Sequence, residues 1–137
     1  MAVIEELIRL EDNGKISFGN YLMDTKKKVL DFEVGGDLYK VKTFREITKL
    51  EKNGKLLIES VPGATLHNFE ATDKGVSFTA EAEEDVQILM ELEADKEYKF
   101  IVDDVNMDRI KSNMSGKVNF SIEIKGQPVT VKLEKIW

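Results

Sequence analysis

Apolar side chains in the second half of the chain fall on alternate positions. Val76, Phe78, Ala80 and Ala82 alternate with Ser77, Thr79 and Glu81, and Val86, Ile88, Met90 and Leu92 alternate with Gln87, Leu89 and Glu91. Tyr98, Phe100 and Val102 continue the pattern, followed by Val118, Phe120, Ile122 and Ile124, then Val129, Val131 and Leu133. A repeat of two puts each apolar set on one face of a pleated strand. Short strands recurring roughly every 10 to 12 residues have the rhythm of a sandwich or barrel.

Turn chemistry separates these runs. Asp73-Lys74-Gly75, Ser115-Gly116 and Gly126-Gln127-Pro128 each offer a glycine that accepts positive φ or a proline that fixes it. Asn53-Gly54, between 47–52 and 55–60, is a two-residue hairpin signal. Asn13-Gly14 likewise separates 8–10 from 16–18, and Gly35-Gly36 precedes a strand and reads as a turn. Pro62-Gly63 suits the centre of a type II turn. The first half is less regular. Segment 38–44 reads as a strand with apolar residues on both faces, which suggests cover on both sides. Val3, Ile4, Leu7 and Ile8 fit one face of a short helix and equally a strand. The pattern predicts one all-β domain over residues 1–137, a two-sheet antiparallel β-sandwich of about ten short strands, with either a short N-terminal helix or a strand at the start.

Composition narrows the chemistry. With no cysteine, the chain has no disulfide, thiolate zinc site or cysteine nucleophile. The opening residues lack the basic and apolar regions of a signal peptide, and no apolar run approaches the ~18 residues of a membrane span, so a cytoplasmic protein is expected. A net charge of −6 argues against nucleic acid and anionic membranes as general partners.

Catalytic constellations are hard to assemble. His67 is the only histidine, and no Gly-x-Ser-x-Gly elbow exists. It is expected to be structural, on the same face as Phe69. Asp104, Asn106 and Asp108 have the opening spacing of a calcium loop, but Arg109 replaces the glycine and Ser115 the final glutamate. No metal site and no cofactor are therefore predicted. The acidic run from Glu81 to Glu97 could supply the two carboxylates of a glycosidase, although its strand positions point outward. No phosphate-binding glycine loop is present. Lys40, Lys42, Arg45, Lys49, Lys52 and Lys55 are basic, but Glu46 and Glu51 dilute them and no nucleic-acid motif accompanies them.

Charge is nevertheless unevenly placed. Residues 38–55 carry six basic and two acidic side chains, and residues 81–97 carry eight acidic and one basic. Complementary surfaces of this kind can orient two copies of a chain. The expected interface comprises Lys40, Lys42, Lys49 and Lys52, the acids Glu91 and Glu93, and the apolar end Ile136-Trp137.

Four stretches carry a resemblance over nearly the whole chain: Gly14-Lys-Ile-Ser-Phe-Gly-Asn-Tyr21, Gly36-Asp-Leu-Tyr-Lys-Val-Lys-Thr43, Glu46-Ile-Thr-Lys-Leu-Glu-Lys-Asn-Gly54 and Glu59-Ser-Val-Pro-Gly63. In these the chain resembles a family of short proteins from anaerobic Gram-positive bacteria whose members often bear the name endosialidase. No catalytic motif defines that family, so the resemblance assigns no site residue. The residues favour a non-catalytic protein that binds, first of all to itself as a homo-oligomer. The alternatives are a carbohydrate-binding module and, as the family name implies, a small glycan hydrolase.

Overall fold

The computed structural model describes residues 2–136, and the expected interface residue Trp137 lies outside them. Thirteen strands and no helix form among these residues. They are β1 (Ile8–Leu10), β2 (Ile16–Phe18), β3 (Lys27–Val34), β4 (Asp37–Phe44), β5 (Ile47–Lys52), β6 (Lys55–Val61) and β7 (Thr65–Thr72). The remainder are β8 (Gly75–Glu81), β9 (Val86–Glu91), β10 (Glu97–Val102), β11 (Val105–Lys111), β12 (Lys117–Ile122) and β13 (Val129–Ile136). One sheet has seven strands in the order β1-β2-β7-β8-β13-β10-β11, and the other six in the order β12-β9-β6-β5-β4-β3. Neighbouring strands pair antiparallel throughout.

The alternating apolar sets meet between the sheets. Val41, Leu50, Ile58, Ile88 and Val118 of the six-stranded sheet join Phe18, Leu66, Phe78, Val131 and Leu133 of the seven-stranded sheet in one buried cluster. Aromatic rings knit it together. Phe69 lies between Phe18, edge-on at 5.7 Å, and Phe78, stacked at 6.1 Å. Phe100 on β10 meets Phe120 on β12 across the layers at 4.8 Å. Burying each such ring removes some 150–250 Å² from water.

The expected sandwich is present, with thirteen strands where about ten were expected. The largest omission is β3, whose Lys-Lys-Val-Leu-Asp-Phe-Glu-Val run is mostly exposed and so lacks alternation. An irregularity between Val29 and Phe32 breaks its period further. The short N-terminal helix is absent. Leu7 takes φ of 74°, and the Ile4 N–H and Leu7 carbonyl bond Gly19 instead of closing helical turns. No type II turn forms at Pro62-Gly63, because the Val61–Pro62 bond is cis and Gly63 lacks the positive φ such a turn requires. A Cβ on Gly63 would collide with the Phe44 carbonyl oxygen, so close packing selects glycine there. The expected double cover of 38–44 fails on the outer side, where Leu38 is 45% exposed.

A hydroxyl network fixes the sheets at one end. Thr43, Thr48 and Thr65 are essentially inaccessible to water. The Thr48 hydroxyl donates to the Ala64 carbonyl at 2.7 Å and accepts from the Ala64 N–H at 3.1 Å. Its single proton being used, the 2.8 Å contact with Thr43 must be donated by Thr43. Thr43 in turn accepts from the Asn20 N–H, and the Thr65 hydroxyl donates to the Gly19 carbonyl. Replacing Thr48 by valine keeps the shape and strands three buried partners, each costing about 1–3 kcal/mol. Urea unfolding of Thr48→Val is expected to show a loss of about 3 kcal/mol, while Thr48→Ser, which keeps the hydroxyl, loses about 1 kcal/mol.

Candidate functional site

Four connections at that same end enclose a cleft of about 430 Å³. Tyr21 comes from the β2–β3 loop, Arg45 and Glu46 from the two-residue β4–β5 turn, Val61 from the end of β6, Pro62 and Gly63 from the β6–β7 connection, and Glu83 and Glu84 from the β8–β9 loop. Backbone bonds tie the first three of these connections together: Arg45 N–H to the Met23 carbonyl, and Gly63 N–H to the Arg45 carbonyl, both at 2.9 Å. The Ser60 hydroxyl secures the Pro62 carbonyl at 2.8 Å. The Arg45 guanidinium stands 3.8 Å from Asp24 and is largely exposed. Burial pushes up the pKa of the Tyr21 phenol, and the charges of Glu81 and Glu83 add to the shift. Tyr21 therefore presents a neutral hydroxyl to the cleft at ordinary pH. One arginine, three glutamates and a phenol offer both donors and acceptors, against an apolar wall of Val61 and Pro62.

Tyr21 also links the cleft to a second polar cluster, around Glu81 and His67. In β7, His67 pairs with Thr79 and Glu70 with Ser77, with an irregularity between them. Asn68, at φ of 54°, is the extra residue. His67 consequently lies on the outer face and Phe69 on the inner, so the expected sharing of one face is overturned by the bulge. Although it points away from the core, His67 is only 5% exposed. Its Nε2 is 3.7 Å from Glu81 Oε1, within ion-pair range but beyond hydrogen-bond reach, and neither atom has a hydrogen-bond partner among the described residues.

The surrounding polar groups are already committed. Arg9 forks onto the Glu11 carboxylate at 3.0 and 3.3 Å. The Ser17 hydroxyl donates to the same carboxylate at 2.6 Å and accepts from the Asn68 N–H at 3.0 Å. These bonds, Ser17's first and then Arg9's, hold the Glu11 carboxyl below the usual carboxylate range. Because the Ser17 proton is directed to Glu11 and not to His67, the cluster is not arranged as a serine nucleophile and its base. Burial lowers the His67 pKa, and the Glu81 charge opposes that shift without cancelling it.

The residues expected at an oligomer interface are dispersed. Lys42 and Lys49 stand opposite each other on the outer face of the six-stranded sheet, and Lys40 on that face reaches Glu51 at 3.7 Å. Lys52 pairs with Asp37 at 3.5 Å. Glu91 faces Lys117 on β12, whereas Glu93 lies in the β9–β10 connection, held by Lys135 of the other sheet. Ile136 is half-buried across from Glu97. Asp104 of the rejected calcium loop sits in the tight β10–β11 turn at positive φ, and no group of three metal-ligating side chains gathers among the described residues.

Compared with known proteins, the chain matches no family model, no curated protein and no solved structure.

Two shifts set the response to acid. As pH falls through the ordinary imidazole value of 6.5, the unfolded chain gains a proton at His67 that the folded chain takes up only at lower pH, so stability declines. Glu11 contributes stability above its ordinary value of 4.5, which is lost as pH falls through the depressed folded one. The melting temperature is expected to fall between about pH 7.5 and 5.5, and His67→Gln to flatten that part while sparing the decline below about pH 4.5.

Proposed function

We propose that the protein acts by binding, and that the cleft of Tyr21, Arg45, Glu46, Glu83 and Glu84 receives a small hydroxyl-rich ligand, a mono- or disaccharide unit of a glycan. One observation carries this reading: four loops, three of them tied to one another by backbone hydrogen bonds, converge charged and phenolic side chains on a cleft of about 430 Å³. Such a volume lies within the range of about 300–1,000 Å³ usual for small-ligand sites. Carboxylates and a guanidinium bridge neighbouring sugar hydroxyls in pairs, and Val61 with Pro62 suits the C–H face of a ring. The cleft is held by loop-to-loop bonds before any ligand arrives, which limits the ordering cost of binding.

A second reading, self-association, is favoured by β11. This edge strand is exposed along nearly its whole length, with Val105 58% and Met107 59% exposed. Free edges of that kind pair with other copies.

A glycan array followed by calorimetry tests the first reading. Binding is expected, weakened by about tenfold or more in Arg45→Ala and in Glu83→Gln at unchanged melting temperature, since hydrogen bonds to charged groups contribute about 1.5–3 kcal/mol. Absence of glycan binding, or binding indifferent to both substitutions, overturns it. For the second reading, light scattering should report an oligomer that Met107→Lys dissociates, and a monomer at micromolar concentration would end it.

A further inference from the structure

The outer face of the six-stranded sheet carries a feature that neither the cleft nor the β11 edge accounts for. Lys28 on β3, Lys42 on β4 and Lys49 on β5 stand directly opposite one another in register. Adjacent strands are about 4.8 Å apart, and like charges so placed destabilise a sheet. Lys26 and Lys40 flank this row closely enough to act on Lys42, whose pKa is lowered by burial first and then by Lys26, Lys49, Lys28 and Lys40. Acids offset only part of it: Lys40 reaches Glu51, Glu59 faces Lys49 and Glu33 faces Leu38 across the strands. Lys26, Lys28, Lys42 and Lys49 form no ion pair among the described residues.

Leucines accompany the lysines. Val29 turns inward opposite Val41, so Leu30, the next residue, turns outward, and it is 60% exposed. Leu38 alternates with the inward Tyr39 and is 45% exposed. Both lie on the lysine face.

We propose that this face of β3, β4 and β5 docks on an anionic lipid surface. Lysines alone would suit any polyanion, but a polyanion in water gives no use to leucines held bare beside them. A lipid interface supplies both partners at once, anionic headgroups for the ammonium groups and hydrocarbon for Leu30 and Leu38. Nucleic acid fits less well, because among the described residues no tyrosine stands exposed on this face as a stacking platform, and the ring there, Phe44, is half-buried. A net charge of −6 sets the rest of the molecule against a negative surface and so orients this face toward it.

Flotation of the full chain with phosphatidylcholine vesicles, with and without phosphatidylglycerol, tests the proposal. Binding is expected only to the anionic vesicles, and to weaken as salt rises. The triple variant Lys28→Glu, Lys42→Glu, Lys49→Glu should lose at least about tenfold in partitioning. The corresponding glutamine variant, checked for an unchanged melting temperature, guards against misfolding and should lose severalfold. Leu30→Ser with Leu38→Ser should weaken binding severalfold with every lysine in place. No binding to anionic vesicles at low salt overturns the proposal. So does binding that the serine pair leaves unchanged while dextran sulfate competes for it, which would assign the face to a soluble polyanion.

Discussion

Apolar contacts have no preferred direction, so a filled core alone leaves the two layers of a sandwich loosely specified relative to each other. The Thr48 hydroxyl removes that freedom. It belongs to the six-stranded sheet and holds both the N–H and the carbonyl of Ala64, the residue from which the chain enters β7 of the other sheet. Thr43 extends the link to Asn20, and Thr65 closes it on Gly19. Every loop that lines the Tyr21–Arg45 cleft leaves or enters a strand within a few residues of this network. The geometry of the cleft is therefore inherited from hydrogen bonds that no ligand touches.

Much of the sandwich was legible in the sequence, and the parts that were not have physical causes. After Val76, β8, β9, β12 and β13 each have one buried and one wet face, so alternation reports them directly, whereas β11 is exposed on both faces and leaves no such pattern. At the edge, β3 has little to bury and its polarity hid it. Ile4 is fully buried in a stretch with no regular structure, which no periodicity describes. The cleft was illegible for a related reason. Its residues sit in four turns, where spacing along the chain carries no information about closeness in space. The one available signal was that Arg45-Glu46 and Glu83-Glu84 interrupt apolar runs with paired charges.

Charge along the chain was a poorer guide than charge on the surface. The acidic stretch 81–97 is distributed by β9 to opposite ends of the sandwich: Glu83 and Glu84 at the cleft, Glu93 beside Lys135. Glu81 is turned toward His67. The basic stretch 38–55 behaves differently, since β4 and β5 form a hairpin that brings Lys42 against Lys49. Lys26 and Lys28, outside that stretch, complete the cluster because β3 pairs next to β4. A hairpin concentrates charge that is spread in sequence, and a strand between two loops divides charge that is contiguous.

Asn68 works as a change of parity. Ahead of it the even position Leu66 faces the core, and beyond it the odd position Phe69 does, so one inserted residue inverts the rule for which positions must be apolar. The two halves of β7 thereby keep their apolar residues on one side only as long as the extra residue stays out of the pairing. Deleting Asn68 would leave plain alternation with Leu66 and Phe69 both still inward, whereas flattening the bulge at unchanged length would send Leu66 to water and the imidazole of His67 into hydrocarbon without altering one side chain.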